Sequence, residues 1–86
     1  MEVEEAAKKE MERMEEVIDK VEILSDEGKE VLRLAKSYLT DAKYFYEKKK
    51  FLEAFEAAVI AWAYLDAGLH LKVFKIPESM KKIFTI

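Results

Sequence analysis

Asp66 and His70 are the one pair in this 86-residue chain whose types and spacing could do chemistry. Four positions apart on a helix they share a face, with Trp62 one turn earlier, and a carboxylate so placed can orient an imidazole as a general base requires. With Tyr64 they make a candidate ligand-binding set, Trp62, Tyr64, Asp66 and His70, for a pocket of aromatic walls and a few convergent polar groups. No residue is assigned as catalytic, because the sequence ties no Ser, Cys or Thr nucleophile to the pair. A simpler role is that Asp66 caps a helix or pairs with a Lys or Tyr of another one, leaving His70 half exposed; structural ion pairs place such groups together without catalysis.

Metal chemistry has less support. One histidine with no Glu-x-x-His motif cannot supply the paired ligands of a di-iron bundle, and there is no cysteine for a thiolate site or a disulfide. Neither metal nor cofactor is therefore expected. Glu53 and Glu56 read as a solvated edge. The nearest arginine before His70 is Arg33, so the chain lacks the Arg and His spaced four to six apart that toxin-associated helical ribonucleases would need.

These residues belong to the stretch FLEAFEAAVIAWAYLDAGLHLKVF, residues 51–74, around which the chain is organised. Six alanines give it high helix propensity, and its polar residues form only a narrow stripe, Glu53 and Glu56, then Ala63, then Asp66 and His70. A helix apolar over most of its circumference needs more than one neighbour. Trp62, Phe55, Ile60 and Leu65 are its expected core residues, each contributing roughly 1.5 to 3 kcal/mol if fully buried.

Two amphipathic segments supply the neighbours. Val3, Ala7, Met14, Val17, Val21 and Leu24 recur at steps of three and four and predict a helix over 3–24. Ser25 and Asp26 can cap a second helix, 26–48, in which Gly28 costs some propensity. Its apolar face contains Val31, Ala35, Tyr38, Leu39, Ala42 and Phe45, and it ends in Lys48, Lys49 and Lys50, cations suited to a helix C-terminus. The expectation is all-α: a single domain, 1–86, folded as an up-and-down three-helix bundle with a short C-terminal helical tail after Pro77. The tail should fold over one end of the bundle; alternatively, its apolar end, Ile83, Phe84 and Ile86, is open to a neighbouring subunit.

The net charge of −3 gives no electrostatic reason to expect nucleic acid or an anionic membrane as partner. Residues 1–30 hold 12 acidic and 5 basic side chains, and residues 31–86 hold 6 and 10, so the first helix should lie on a mildly basic pair. The acidic start MEVEEAAKKE does not fit a signal peptide and predicts a cytoplasmic protein. Asn, Gln and Cys are absent while Glu and Lys abound, a composition associated with work at high temperature.

Two resemblances bear on this reading. Ala42, Phe45, Phe51, Ala54 and Ala61 fall near the spacing of one tetratricopeptide unit, but the unit is not repeated, so the similarity reflects helix-hairpin packing. More specifically, Tyr38-Leu39-x-Asp41-Ala42, Phe45, Ala54-Phe55-x-Ala57 and the run Ala61 to Leu69 resemble the archaeal family called domain of unknown function 357. That resemblance implies a small archaeal helical bundle and brings no activity. The expected function is accordingly a protein–protein interaction or self-association module, with a homo-oligomer or an unknown protein as partner and Ile83 and Phe84 as candidate contacts. A small-ligand-binding or catalytic bundle is the alternative.

Overall fold

The computed structural model describes residues 2–84. Three helices, α1 (Val3–Ile18), α2 (Asp26–Glu47) and α3 (Phe51–His70), pack against one another. Two short strands, β1 (Glu22–Ile23) and β2 (Phe74–Lys75), follow α1 and α3, and a 3-10 helix, Glu78–Ile83, closes the described chain. The three-helix bundle and its short helical tail are as the sequence predicts.

Two helix ends differ from expectation, and one interaction explains both. α1 stops at Ile18 and not at Leu24, and α3 stops at His70 and not at Phe74, because the segments beyond them pair as an antiparallel ladder. Glu22 lies opposite Lys75 and Ile23 opposite Phe74, and the Leu24 N–H donates to the Val73 carbonyl at 2.9 Å. Val21, Glu22, Ile23 and Leu24 alternate between half-buried and exposed, the period of a strand. The same four residues also fit a helical step of three, which is why spacing alone misplaces them.

Both glycines serve this ladder. A β-carbon on Gly28, in the first turn of α2, would lie 2.9 Å from the Val73 carbonyl carbon and closer still to its oxygen. On Gly68 it would meet two ring carbons of Phe74 at 2.5 and 2.6 Å. Gly28 is therefore not merely a cost to helix propensity; it lets the strand lie against the helix. Ser25 caps α2 beside it, its hydroxyl oxygen accepting from the Gly28 N–H at 3.4 Å.

α2 and α3 each end in a left-handed residue that is not glycine, Lys49 (φ 63°) and Lys72 (φ 59°). At the first end, Lys50 N–H donates to Phe45 O and Lys49 N–H to Tyr46 O; at the second, Val73 N–H donates to Gly68 O and Lys72 N–H to Leu69 O. This is the paired bond pattern of a Schellman cap, which satisfies the last free carbonyls and turns the chain sharply.

The core is organised by alanine. Ala54, Ala57, Ala58 and Ala61 of α3 are buried, as are Ala35 and Ala42 of α2, so these two helices share the most extensive contact in the molecule. Small facing residues permit that approach and displace large side chains to the margins. The fully buried large residues are Phe74, Met14, Leu65 and Val17. Of the expected core set only Leu65 is fully enclosed; Phe55 and Trp62 are half-buried and Ile60 is exposed. Between α1 and α2 an ion pair joins Glu15 to Lys43 at 3.2 Å.

The tail packs on its own bundle. Phe84 is only 3% exposed and stacks on Trp62, ring centroids 5.8 Å apart and planes 10° from parallel. Arg13 of α1 donates to the Ile83 carbonyl at 3.3 Å. Ile86 lies outside the described residues.

Candidate functional site

α3 positions nearly every residue singled out from the sequence, and its 100° step per residue decides which of them meet. Asp66 and His70 share a face, with the His70 Nε2 3.5 Å from the Asp66 Oδ1. That contact does not make a hydrogen bond, so the Oδ1, itself closed to solvent, has no hydrogen-bond partner. His70 is open, with 56% of its side chain exposed against 24% for Asp66. The arrangement holds an imidazole loosely beside a carboxylate at the surface.

Trp62 and Tyr64 are not drawn into that pair. The Trp62 indole is engaged by Phe84. Tyr64 lies two positions from Asp66, about 200° around the helix, and stacks on Tyr38 of α2, centroids 5.6 Å apart. Tyr64 thus points away from the other three, and Trp62, though on the Asp66 face, is taken up by the tail. Ile83 is half-buried against the core and Phe84 is inside it.

A depression of about 210 Å³ lies instead between α2 and α3, lined by Tyr38, Asp41, Phe45, Glu53, Glu56, Ala57 and Ile60. Its walls are aromatic and aliphatic, and its rim carries three carboxylates. A second, about 290 Å³, opens at the ladder end, where Leu24, Leu69 and Phe74 sit among Lys72, Lys75 and Lys81. Neither is lined by Trp62, Tyr64, Asp66 or His70.

The less expected feature is the outward face of α3. Leu52, Val59 and Ile60 are 57%, 37% and 39% exposed, and Ala63 and Ala67 are exposed in line with them. α3 is therefore apolar on its buried side and mixed on its open side, where Glu56 and His70 stand among these apolar residues. The sequence signal is the narrow polar stripe of Glu53, Glu56, Ala63, Asp66 and His70, which falls on this same side of the helix and marks it as the open one.

Among the described residues no group of three or more His, Asp or Glu could hold a metal ion, and no helix is long and apolar enough to cross a membrane. Glu30 is held below the usual carboxylate range, chiefly by a side-chain hydrogen bond from Arg33, whose own guanidinium is shifted upward by the same bond. Both groups are exposed on α2, away from the α3 face.

The model of the family described as protein of unknown function (DUF357) matches residues 4–74, from the first turn of α1 to the start of β2. The chain belongs to the DUF357 family. A crystal structure of a DUF357 protein from Archaeoglobus fulgidus superposes with a TM-score of 0.76 at 35% identity, covering 87% of this chain and 93% of that one. No curated protein matches the chain. The DUF357 match takes in the whole bundle, both glycines and β2's Phe74, and stops short of the 3-10 helix that carries Phe84 toward Trp62.

Proposed function

We propose that this chain is a protein–protein association module that works through the outward face of α3. The observation that supports it best is the open stripe of Leu52, Val59, Ile60, Ala63 and Ala67, which runs the length of a helix otherwise packed on two sides. Exposed apolar side chains aligned on one helix face mark association sites better than scattered ones do, and here the exposed Glu56 and His70 stand among them. The groove of Tyr38, Phe45 and Ile60 adjoins the stripe and widens it. A photo-reactive side chain at Ala67 tests the reading: it should crosslink to protein in cells, while the same group at Lys36, exposed on α2, should not. Equal labelling at both positions, or none at Ala67, refutes it.

A second reading, a small-ligand site at Asp66, draws on the unpartnered Oδ1. Under it, Asp66→Asn and His70→Ala leave the melting midpoint nearly unchanged and abolish a co-purifying metabolite. Loss of stability in Asp66→Asn with no metabolite in either form makes the residue structural. The composition further supports a protein of the cytoplasm working at high temperature, for which the expected melting midpoint lies above the mesophile band of about 45 to 65 °C.

A further inference from the structure

The open stripe on α3 is polarised in charge along its length. Glu53 borders its N-terminal half and Glu56 stands within it; His70 ends the helix and Lys72 follows it. Asp66 is the one acidic residue in the C-terminal half, and it lies close to His70. Glu56, Ala63 and His70 are spaced seven apart, so they stand almost in line, drifting only about 20° per step, with Ala63 midway between a carboxylate and an imidazole. All three are exposed.

Resting on the association reading above, we infer that the partner is a second copy of this chain, docked antiparallel through α3 with the twofold axis at Ala63. Placed so, residue 63 minus k of one copy faces residue 63 plus k of the other. Glu56 then meets the partner's His70, Val59 meets the partner's Ala67 and Ile60 meets the partner's Asp66, while Glu53 falls opposite the partner's Val73, one residue from the partner's Lys72. Twofold symmetry makes each contact twice. A parallel arrangement would instead set Glu53 against Glu53 and Glu56 against Glu56, a like-charge opposition that disfavours it. The small side chain at the crossing allows the two helices to approach to the short end of the usual 8 to 10 Å axial separation. Docking in this register needs no adjustment of the bundle, because α1, α2 and the tail all lie away from the stripe and leave it exposed.

The size of the surface sets the strength. A helix of 20 residues presents a stripe about 30 Å long, at the small end of what specific protein interfaces bury. The dimer is therefore in concentration-dependent exchange with monomer.

The chain contains no cysteine, so single introduced thiols report the geometry cleanly, and the positions chosen are exposed. In the antiparallel dimer two thiols from Ala63→Cys face each other across the axis, within reach of the 4.4 to 6.8 Å Cα separation a disulfide needs. Two from Leu52→Cys lie about 33 Å apart. With oxidised glutathione as electron acceptor, Ala63→Cys should become a covalent dimer at least tenfold faster than Leu52→Cys. Equal rates at the two positions mean a parallel or non-specific encounter and overturn the inference. So does a chain that stays monomeric by light scattering across the concentration range with neither position crosslinking; if Ala67 still captures a different protein in cells, the association reading survives that result. Charge exchange gives an independent check. Glu56→Lys or His70→Glu alone should raise the dissociation constant roughly tenfold, the repeated contact doubling the effect of one exposed pair, and the two together should restore it to within about threefold. Failure of the double variant to recover overturns the Glu56–His70 register.

Discussion

Replacing Gly28 by alanine sets two forces against each other with opposite signs. Helix propensity alone favours the alanine by up to about 1 kcal/mol, and Ser25 would still cap the helix. The structure predicts the reverse, because the new methyl group would fall 2.9 Å from the Val73 carbonyl carbon and nearer to its oxygen, where ordinary contact begins at about 3.4 Å. No side chain can move aside; the obstacle is backbone, and it is held by the Leu24 N–H at 2.9 Å. Overpacking of this kind costs about 1 to 3 kcal/mol, and losing the hydrogen bond adds about 1 kcal/mol. Against the propensity gain, the net destabilisation is about 1 to 3 kcal/mol. For a domain of this size each kcal/mol moves the melting midpoint by about 4 to 8 °C, so the variant should melt roughly 5 to 20 °C lower. Thermal denaturation followed by far-ultraviolet circular dichroism measures it. An unchanged or raised midpoint would refute the account of Gly28 as the residue that admits the strand.

Three other variants test separate parts of the structure. Lys72→Gly should stabilise by about 0.5 to 1 kcal/mol, since a left-handed backbone costs an L-residue about 1 to 2 kcal/mol and glycine returns part of that as unfolded-state entropy; a lower denaturation midpoint counts against it. Phe84→Ala should cost about 3 kcal/mol and shift emission of the single tryptophan, Trp62, to the red as its stacking partner is lost, whereas an unaltered spectrum would mean that the tail does not hold the indole. In Arg33→Ala the Glu30 carboxyl should titrate closer to its ordinary range, followed by carbon-13 resonance. Because the Glu30 value is lowered in the folded chain, whatever the pair contributes to stability is present above the unfolded-state value and lost as pH falls through the folded one.

The helices were legible because their signals are local and redundant. Alanine content and apolar spacing both favoured α3, and a cap followed by acidic residues announced α2. The ladder was not legible, because Val21 to Leu24 satisfies a helical and a strand period at once, and its partner lies about fifty residues away. The core departs from expectation for a related reason: size predicts burial for Phe55, Trp62 and Ile60, but close packing of alanines gives the centre of the α2–α3 contact to small residues. At the candidate site, Asp66 and His70 could be paired from their spacing, while the partners of Trp62 and Tyr64 came from the tail and α2, which sequence distance does not reveal.

The two-strand ladder also bears on the order in which the chain assembles. Joining Ile23 to Phe74 closes a loop of about fifty residues, an entropic cost of roughly 3 to 4 kcal/mol. Two residues of strand cannot meet that cost alone, so the clasp should close only after α2 and α3 have docked through their short connection. The reverse process follows the same logic. Under native conditions the Leu24 amide should exchange with solvent through a partial opening that frees α1 and the tail together and leaves the α2–α3 hairpin closed, so its protection should fall below that of amides in the middle of α3.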